Sequence, residues 1–181
     1  MIWPMNDAEC PAFLELYRQA MCGSGWTLDL GVGDGRLLPG QFLDARAGWL
    51  GLDLRRRGLQ RADKRARQVD FRIALHQGDA QALPYRDGAF SAVVSNGLLH
   101  HVAAPHIVLA EALRVLAPGG LALFRDLLPA ELHQAPPALA KRLQTLNAMQ
   151  KHVAALGFER ETIRQAGPHW VWIARKPSSR S

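Results

Sequence analysis

The apolar run Trp26-Thr27-Leu28-Asp29-Leu30 stops at Gly31-Val32-Gly33-Asp34-Gly35, and this stop constrains the fold more than any other stretch of the 181 residues. A short apolar run bounded by glycine reads as a buried strand. Three glycines at alternate positions then end it in a turn without bulky side chains. Such a turn accepts positive φ and lets a nucleotide-like ligand lie against bare backbone. The helix expected next would offer unpaired N–H groups at its start. Spacing narrows the ligand further. A dinucleotide loop needs glycine at 31, 33 and 36, and Arg36 stands at the last of these. Asp29 before the loop and Asp34 inside it would repel a pyrophosphate. They suit a ligand that carries positive charge.

Further apolar segments follow in order. Ala47 to Leu52 ends in Asp53, 22 positions after Gly31. That is close to the ~20-residue offset at which an acid meets a ribose in βαβ nucleotide folds. Phe71 to Leu75 leads into Gln77-Gly78-Asp79-Ala80-Gln81-Ala82-Leu83-Pro84-Tyr85. Phe90 to Asn96 is a fourth strand, followed by Gly97-Leu98-Leu99-His100-His101-Val102. A helix through Glu111-Ala112-Leu113-Arg114-Val115-Leu116 ends in Pro118-Gly119-Gly120, read as a turn ahead of a fifth strand from Leu121 to Arg125. In this order the segments resemble the class I S-adenosylmethionine (SAM)-dependent methyltransferases. The resemblance is to the small members that share L-D-x-G-x-G-x-G, G-D-A-x-x-L-P-F and L-x-P-G-G. It spans roughly residues 26–126, with a plausible family ending as far as Lys176.

The resemblance implies SAM as cofactor, S-adenosylhomocysteine (SAH) as product, and a set of contacts. Asp29 and the Gly31 backbone would hold the methionine amino end, Asp53 the ribose hydroxyls, and Asp79 with Ala80 the adenine edge. Gly33, Asp34, Gly35, Leu54, Gly78 and Asn96 complete the implied cofactor-binding set, and no metal is implied. Structural roles stand beside these. Asp53 also suits the N-cap of a helix beginning at Leu54, and Asp79 suits a turn. His100 and His101 are the candidate catalytic residues, since a histidine near neutrality can take the proton leaving an oxygen or nitrogen nucleophile. Adjacent residues on a helical turn point about 100° apart. One histidine, His100 by slight preference, is therefore expected to face the cleft while the other packs beneath it. Gly31, Asp53, Asp79, Asn96, His100 and Asp126 all fall at strand ends, where open α/β sheets bind their ligands.

Length indicates one domain with an ordinary core. The expected division is an N-terminal helix in 1–25, a SAM-binding core in 26–126, and a C-terminal helix and hairpin in 127–177. Cys10 and Cys22 form no C-x-x-C pair and read as free thiols. No basic, apolar leader opens the chain and no run approaches the ~18 apolar residues of a membrane span. A cytoplasmic setting without membrane contact is expected. Ala8 to Met21 reads as a helix with Phe13, Leu14, Tyr17 and Ala20 on its apolar face. Pro129 and Pro136-Pro137 bound a loop; a helix is expected from Ala138 to Leu156, capped by Gly157. Two strands, Phe158 to Gln165 and Trp170 to Lys176, flank a Gly167-Pro168 turn. The fold class is α/β and Rossmann-like: a mostly parallel sheet with helices on both faces. The resemblance makes it seven-stranded with a C-terminal antiparallel hairpin.

No acceptor-specific motif is present. Ser95-Asn96-Gly97-Leu98 is not the N-P-P-Y type used on base amines, no cysteine lies near the site for covalent cytosine chemistry, and no metal-ligand set stands out. The expected reaction is methyl transfer to an oxygen or nitrogen of a small molecule. Net charge is +6. Arg55, Arg56, Arg57, Arg61, Lys64, Arg65 and Arg67 crowd 13 residues, opposed only by Asp63, with Leu59, Ala62, Ala66 and Val69 as the buried stripe of that helix. The bland reading is a solvated helix. The alternative is a phosphate-contacting patch serving an RNA acceptor. A third reading is a catalytically silent SAM-binding subunit of a complex.

Overall fold

The computed structural model describes residues 11–21, 25–38, 47–127, 159–166 and 169–178. Its elements in chain order are α1 (Pro11–Met21), β1 (Trp26–Leu30), β2 (Gly48–Asp53), α2 (Arg56–Ala66), β3 (Ile73–Gln77), β4 (Phe90–Asn96), a short 3₁₀ turn (Leu99–His101), α3 (Pro105–Val115), β5 (Leu116–Leu127), β6 (Glu159–Ala166) and β7 (His169–Arg175). The strands form one sheet in the order β3-β2-β1-β4-β5-β7-β6. Strands β1 to β5 pair in parallel, while β7 is antiparallel to both β5 and β6.

Alternation along the strands separates two cores. Leu28, Leu30, Leu50, Leu52, Val93 and Phe124 pack with Val108, Leu109, Ala112 and Val115 of α3 on one face. On the other, Trp49, Val94 and Leu123 meet Phe13 and Tyr17 of α1 and Leu59 of α2. Every residue of β2 is buried, which is why this strand reads as continuous apolar sequence rather than alternation. Its ladder leaves Leu30 level with Leu52 and Ser95, so the carboxyl ends of β1, β2 and β4 finish side by side.

Several elements differ from the sequence reading. Pro118-Gly119-Gly120 lies within β5 instead of preceding it. Pairing passes from Phe90 with Leu116 to Ala92 with Leu121, so two β4 residues face five on β5. The extra residues are held from the other side: the Gly119 N–H donates to the Lys176 carbonyl (2.9 Å) and the Lys176 N–H to that of Gly120 (3.0 Å). A paired edge replaces the free turn. Strand β3 begins at Ile73, not Phe71, and α2 begins at Arg56, not Leu54. Residues 33–37 form turns. The expected helices after Leu38 and over 138–156, the loop at 129–137, Gly157, Gly167-Pro168, Cys10, Cys22 and residues 8–10 lie outside the described residues.

One clamp ties α3 to the segment from Leu83 to Asp87 that precedes β4. Arg114 grips Glu111 with Nε and Nη2 (2.7 and 2.8 Å), and it donates to the carbonyls of Leu83 (3.0 Å) and Tyr85 (2.7 Å) and to Asp87 (2.8 Å). Glu111 in turn accepts the Leu83 N–H at 2.8 Å. The Arg114 bonds, above all, hold the Glu111 carboxyl below its ordinary range. This forked geometry suits arginine and no other cation. Arg114→Met should lower unfolding stability by about 1.5–3 kcal/mol, the scale of hydrogen bonds to a charged group. Urea denaturation measures it, and a midpoint equal to the parent's would mean the clamp is idle.

Candidate active site

The site is built where strand order reverses, at the carboxyl ends of β1 and β4, flanked by those of β2 and β5. Gly31 and Gly33 adopt φ +76° and +56°, conformations that side chains rarely tolerate. The Gly31 N–H is taken by the Leu52 carbonyl at 2.8 Å. The Gly31 carbonyl, an acceptor, is therefore the group suited to an ammonium. A Cβ on Gly33 would meet nothing nearer than 3.9 Å, so the backbone there borders open space.

Asp53 fixes this loop. Its Oδ2 accepts the Gly33 N–H and its Oδ1 the Arg55 N–H, both at 2.8 Å. Its carbonyl accepts the Gly78 N–H at 3.1 Å. The acid therefore ties the glycine turn, the entry to α2 and the exit of β3 together, a structural role close to the N-cap reading. Arg55, the residue at the N-cap itself, makes no side-chain cap bond. A carboxylate offers about four lone-pair positions, so acceptor capacity remains for hydroxyl donors. Beside it Leu54 is 65% exposed, an apolar platform at the strand end. Asp34 pairs with Arg36 at 3.2 Å. Gly58 was not singled out in the sequence, yet a Cβ there would stand 2.7 Å from the Gly33 carbonyl oxygen. Only glycine lets α2 approach the loop so closely.

Asp79 takes the turn role: its Oδ1 accepts the Gln81 N–H at 2.8 Å. Gln81 then reaches across to accept the Ala104 N–H at 3.2 Å, tying this turn to the start of α3. Gly78 is half-buried and Ala80 buried beside it. Nothing in the local sequence distinguishes Gln81, because its partner lies 23 residues away.

Asp29 is on the opposite face from Leu28 and Leu30 and is only 2% exposed. Tyr17 donates to its Oδ2 (3.2 Å), and Trp49 Nε1 donates to the Tyr17 oxygen (3.0 Å). Burial, chiefly, pushes the Asp29 carboxyl up to about 8; the Asp53 charge adds to the rise and the Tyr17 bond opposes it. The Tyr17 hydroxyl is itself pushed well up by burial and by the Asp29 charge.

On the α3 face, His100 Nδ1 lies 2.5 Å from Asp126 Oδ1, and the Leu99 N–H donates to Asp126 Oδ2 at 2.7 Å. A carboxylate accepting from both sides places the imidazole proton on Nδ1 and leaves a lone pair on Nε2. One histidine does pack beneath the other, but it is His100, its side chain 14% exposed against the buried Asp126, and not His101. His101 is exposed, His100 is half-buried, and their ring centroids lie 3.9 Å apart. Leu99, 1% exposed, packs as well. The segment is a 3₁₀ turn that directs Leu99 and, against Asp126, His100 inward and leaves His101 on the outer side. Asn96 Oδ1 accepts from Arg125 Nη1 at 3.0 Å, so Asn96 belongs to the rim between β4 and β5.

Residues 28–124 match a family model described as a methyltransferase domain. The chain is 28% identical over 165 residues to a 27-O-demethylrifamycin SV methyltransferase of Amycolatopsis mediterranei, covering 82% of this chain and 61% of that one. It is 36% identical over 110 residues to a ubiquinone/menaquinone biosynthesis C-methyltransferase of Desulfotalea psychrophila, covering 59% and 43%. The chain thus spans less than two thirds of either relative. Among solved structures, a SAM-dependent methyltransferase from Aquifex aeolicus shares the fold with a TM-score of 0.77 at 15% identity, over 95% of this chain and 93% of that one.

Close packing of α2 against the glycine turn generates a test. Gly58→Ala must separate helix and loop, at a cost of about 1–3 kcal/mol typical of overpacking. Hydrogen exchange at the Gly33 amide should quicken as its bond to Asp53 loosens. Unchanged protection there would show that the loop holds its shape without the helix.

Proposed function

Because the chain belongs to the methyltransferase-domain family, within the class I SAM-dependent fold, we propose that it transfers a methyl group from SAM to an oxygen or nitrogen of a small organic acceptor. The residues present fit the cofactor. Two buried acids, Asp29 and Asp53, flank the glycine turn, whose Gly33 backbone borders open space, and an exposed apolar side chain, Leu54, follows Asp53. Asp29 and the Gly31 carbonyl would hold the ammonium, Asp53 the ribose hydroxyls, and Leu54 with Gly78, Asp79 and Ala80 the adenine. SAM supplies a methyl group already activated on a sulfonium, so the protein's work is orientation and exclusion of water.

The observation that carries the acceptor class is the His100–Asp126 pair. Asp126 fixes the tautomer, and His100 Nε2 takes the proton that a hydroxyl or amine must lose as its new bond to carbon forms. Sulfides and tertiary amines have no such proton and need no base. A carbon acid flanked by carbonyls does have one, and the Desulfotalea relative is named for transfer to carbon. Substrates with and without an acidic C–H separate the two.

A second reading rests on α2, where Arg56, Arg57, Arg61, Lys64 and Arg65 are all exposed. An RNA acceptor would use them as phosphate contacts. Replacing Arg57, Arg61 and Lys64 by Ala would then flatten the log-affinity against log-salt slope by ~2–3 units. No RNA binding at low salt leaves the solvated face standing.

Calorimetry with SAM and SAH tests cofactor binding, and NAD binding in place of SAM would sink the reading. Asp53→Ala should weaken SAM binding ten- to hundredfold, from lost hydrogen bonds of about 1.5–3 kcal/mol. Asp34→Ala should weaken it less.

Turnover is followed as SAH released over a panel of phenols, hydroxyquinones and amines. His100→Ala should lower kcat by about 10²–10⁴ with SAM affinity intact. Asp126→Asn should lower kcat in the same direction. Equal turnover in parent and His100→Ala would mean positioning alone carries the reaction, and no turnover by the isolated chain would favour a silent subunit.

A further inference from the structure

Behind the acid assigned to the ammonium lies a buried polar chain. Trp49 Nε1 donates to Tyr17 and Tyr17 donates to Asp29, at 3.0 and 3.2 Å, all three residues being buried in the core between the sheet and α1. Because the Tyr17 oxygen accepts from the indole, its hydroxyl proton is left for the carboxyl. The donor therefore cannot turn away. A buried aspartate two residues ahead of the glycine turn serves no packing purpose that leucine would not serve better.

We propose that Tyr17 is a positioning residue for the cofactor's ammonium group, and that taking up SAM or SAH drives one proton off Asp29. This rests on the reading of the crevice as a SAM site. In the free protein burial, chiefly, pushes the carboxyl up to about 8, toward its protonated form. An ammonium brought against it restores the charge-compensated carboxylate. The balance is one carboxylic acid plus one ligand ammonium giving a carboxylate–ammonium pair plus one proton to solvent. No bond to carbon changes.

The groups facing Asp29 among the described residues set the sign. Tyr17 of α1 donates a neutral hydrogen bond. Asp53 at the end of β2 contributes a negative charge that raises Asp29 further. On β4 the facing residue Val94 is apolar. On β5, Arg125 is engaged with Asn96 and lies 5.7 Å over the Phe13 ring. Affinity should therefore rise with pH below about 8, by up to tenfold per unit, as the proton to be expelled is already gone.

The test is calorimetry of SAH binding at pH 6.5 in buffers of different ionisation enthalpy, which counts protons released. The parent should release close to one, and Asp29→Asn close to none. 5′-Methylthioadenosine, which lacks the amino-acid end, should bind without release. Tyr17→Phe removes the donor that favours the charged carboxylate. Its affinity should fall about tenfold relative to the parent at pH 7 and recover at pH 9, the parent-to-variant ratio cancelling titration of the ligand's own amine. A purely structural tyrosine would lower affinity equally at both. Release of no proton by the parent, or of a full proton by Asp29→Asn, overturns the proposal while leaving SAM binding in place. Absence of any SAH binding overturns the cofactor reading and this proposal with it.

Discussion

The convergence of the Gly33 and Arg55 amides on the two oxygens of Asp53 is the interaction on which the rest of the site depends. It joins the turn after β1 to the exit of β2 without using a side chain from the turn. The glycines can then stay bare, and α2 can approach the loop to the contact distance that Gly58 permits. The Gly78 amide on the Asp53 carbonyl extends the same anchor to β3. Each bond to the carboxylate is worth about 1.5–3 kcal/mol, enough to hold positive φ at neighbouring glycines against the conformational freedom they would otherwise keep.

Three aspartates at the strand ends share one chemistry and are divided by environment. Asp53 is bound by two backbone amides, which hold it in place as an acceptor. Asp126 is bound by one amide and one imidazole, which fixes the tautomer of His100. Asp29 has a phenol and a hydrophobic surround, so its charge is costly until a cation arrives. Environment, rather than residue type, assigns the tasks.

The parts legible in the sequence are those whose signal is local. Strands announce themselves as apolar runs ending in glycine or acid, and Asp53 sits where the chain leaves a strand. Long-range partners were not legible. Tyr17 reads as one apolar residue in a helical stripe with Phe13, and its hydroxyl acquires meaning only from Asp29 and Trp49 across the sheet interface. Arg114 and Glu111 look like an ordinary helix-surface pair, while their bonds reach the segment from Leu83 to Asp87. Pro118-Gly119-Gly120 carries a turn signal that strand pairing with the C-terminal segment overrides. That His100 rather than His101 is the packed histidine is not legible locally, because its partner Asp126 lies 26 residues away.

The sheet also separates two acid–base centres. Strand parity puts Asp29 on the face covered by α1 and α2, and Asp126 with His100 on the face covered by α3. Apolar strand residues such as Leu28, Val93 and Val94 fill the layer between them. Charges held apart by that layer, and each already bound to its own partner, couple weakly compared with their direct contacts. On the proposed reading, substitution at Asp29 alters cofactor affinity and its pH dependence, while substitution at His100 alters turnover at saturating cofactor. Changing one quantity while the other stays fixed assigns each role to a face of the sheet. Alternation of side chains along β1 and β5 places the two proposed roles on opposite faces of one sheet.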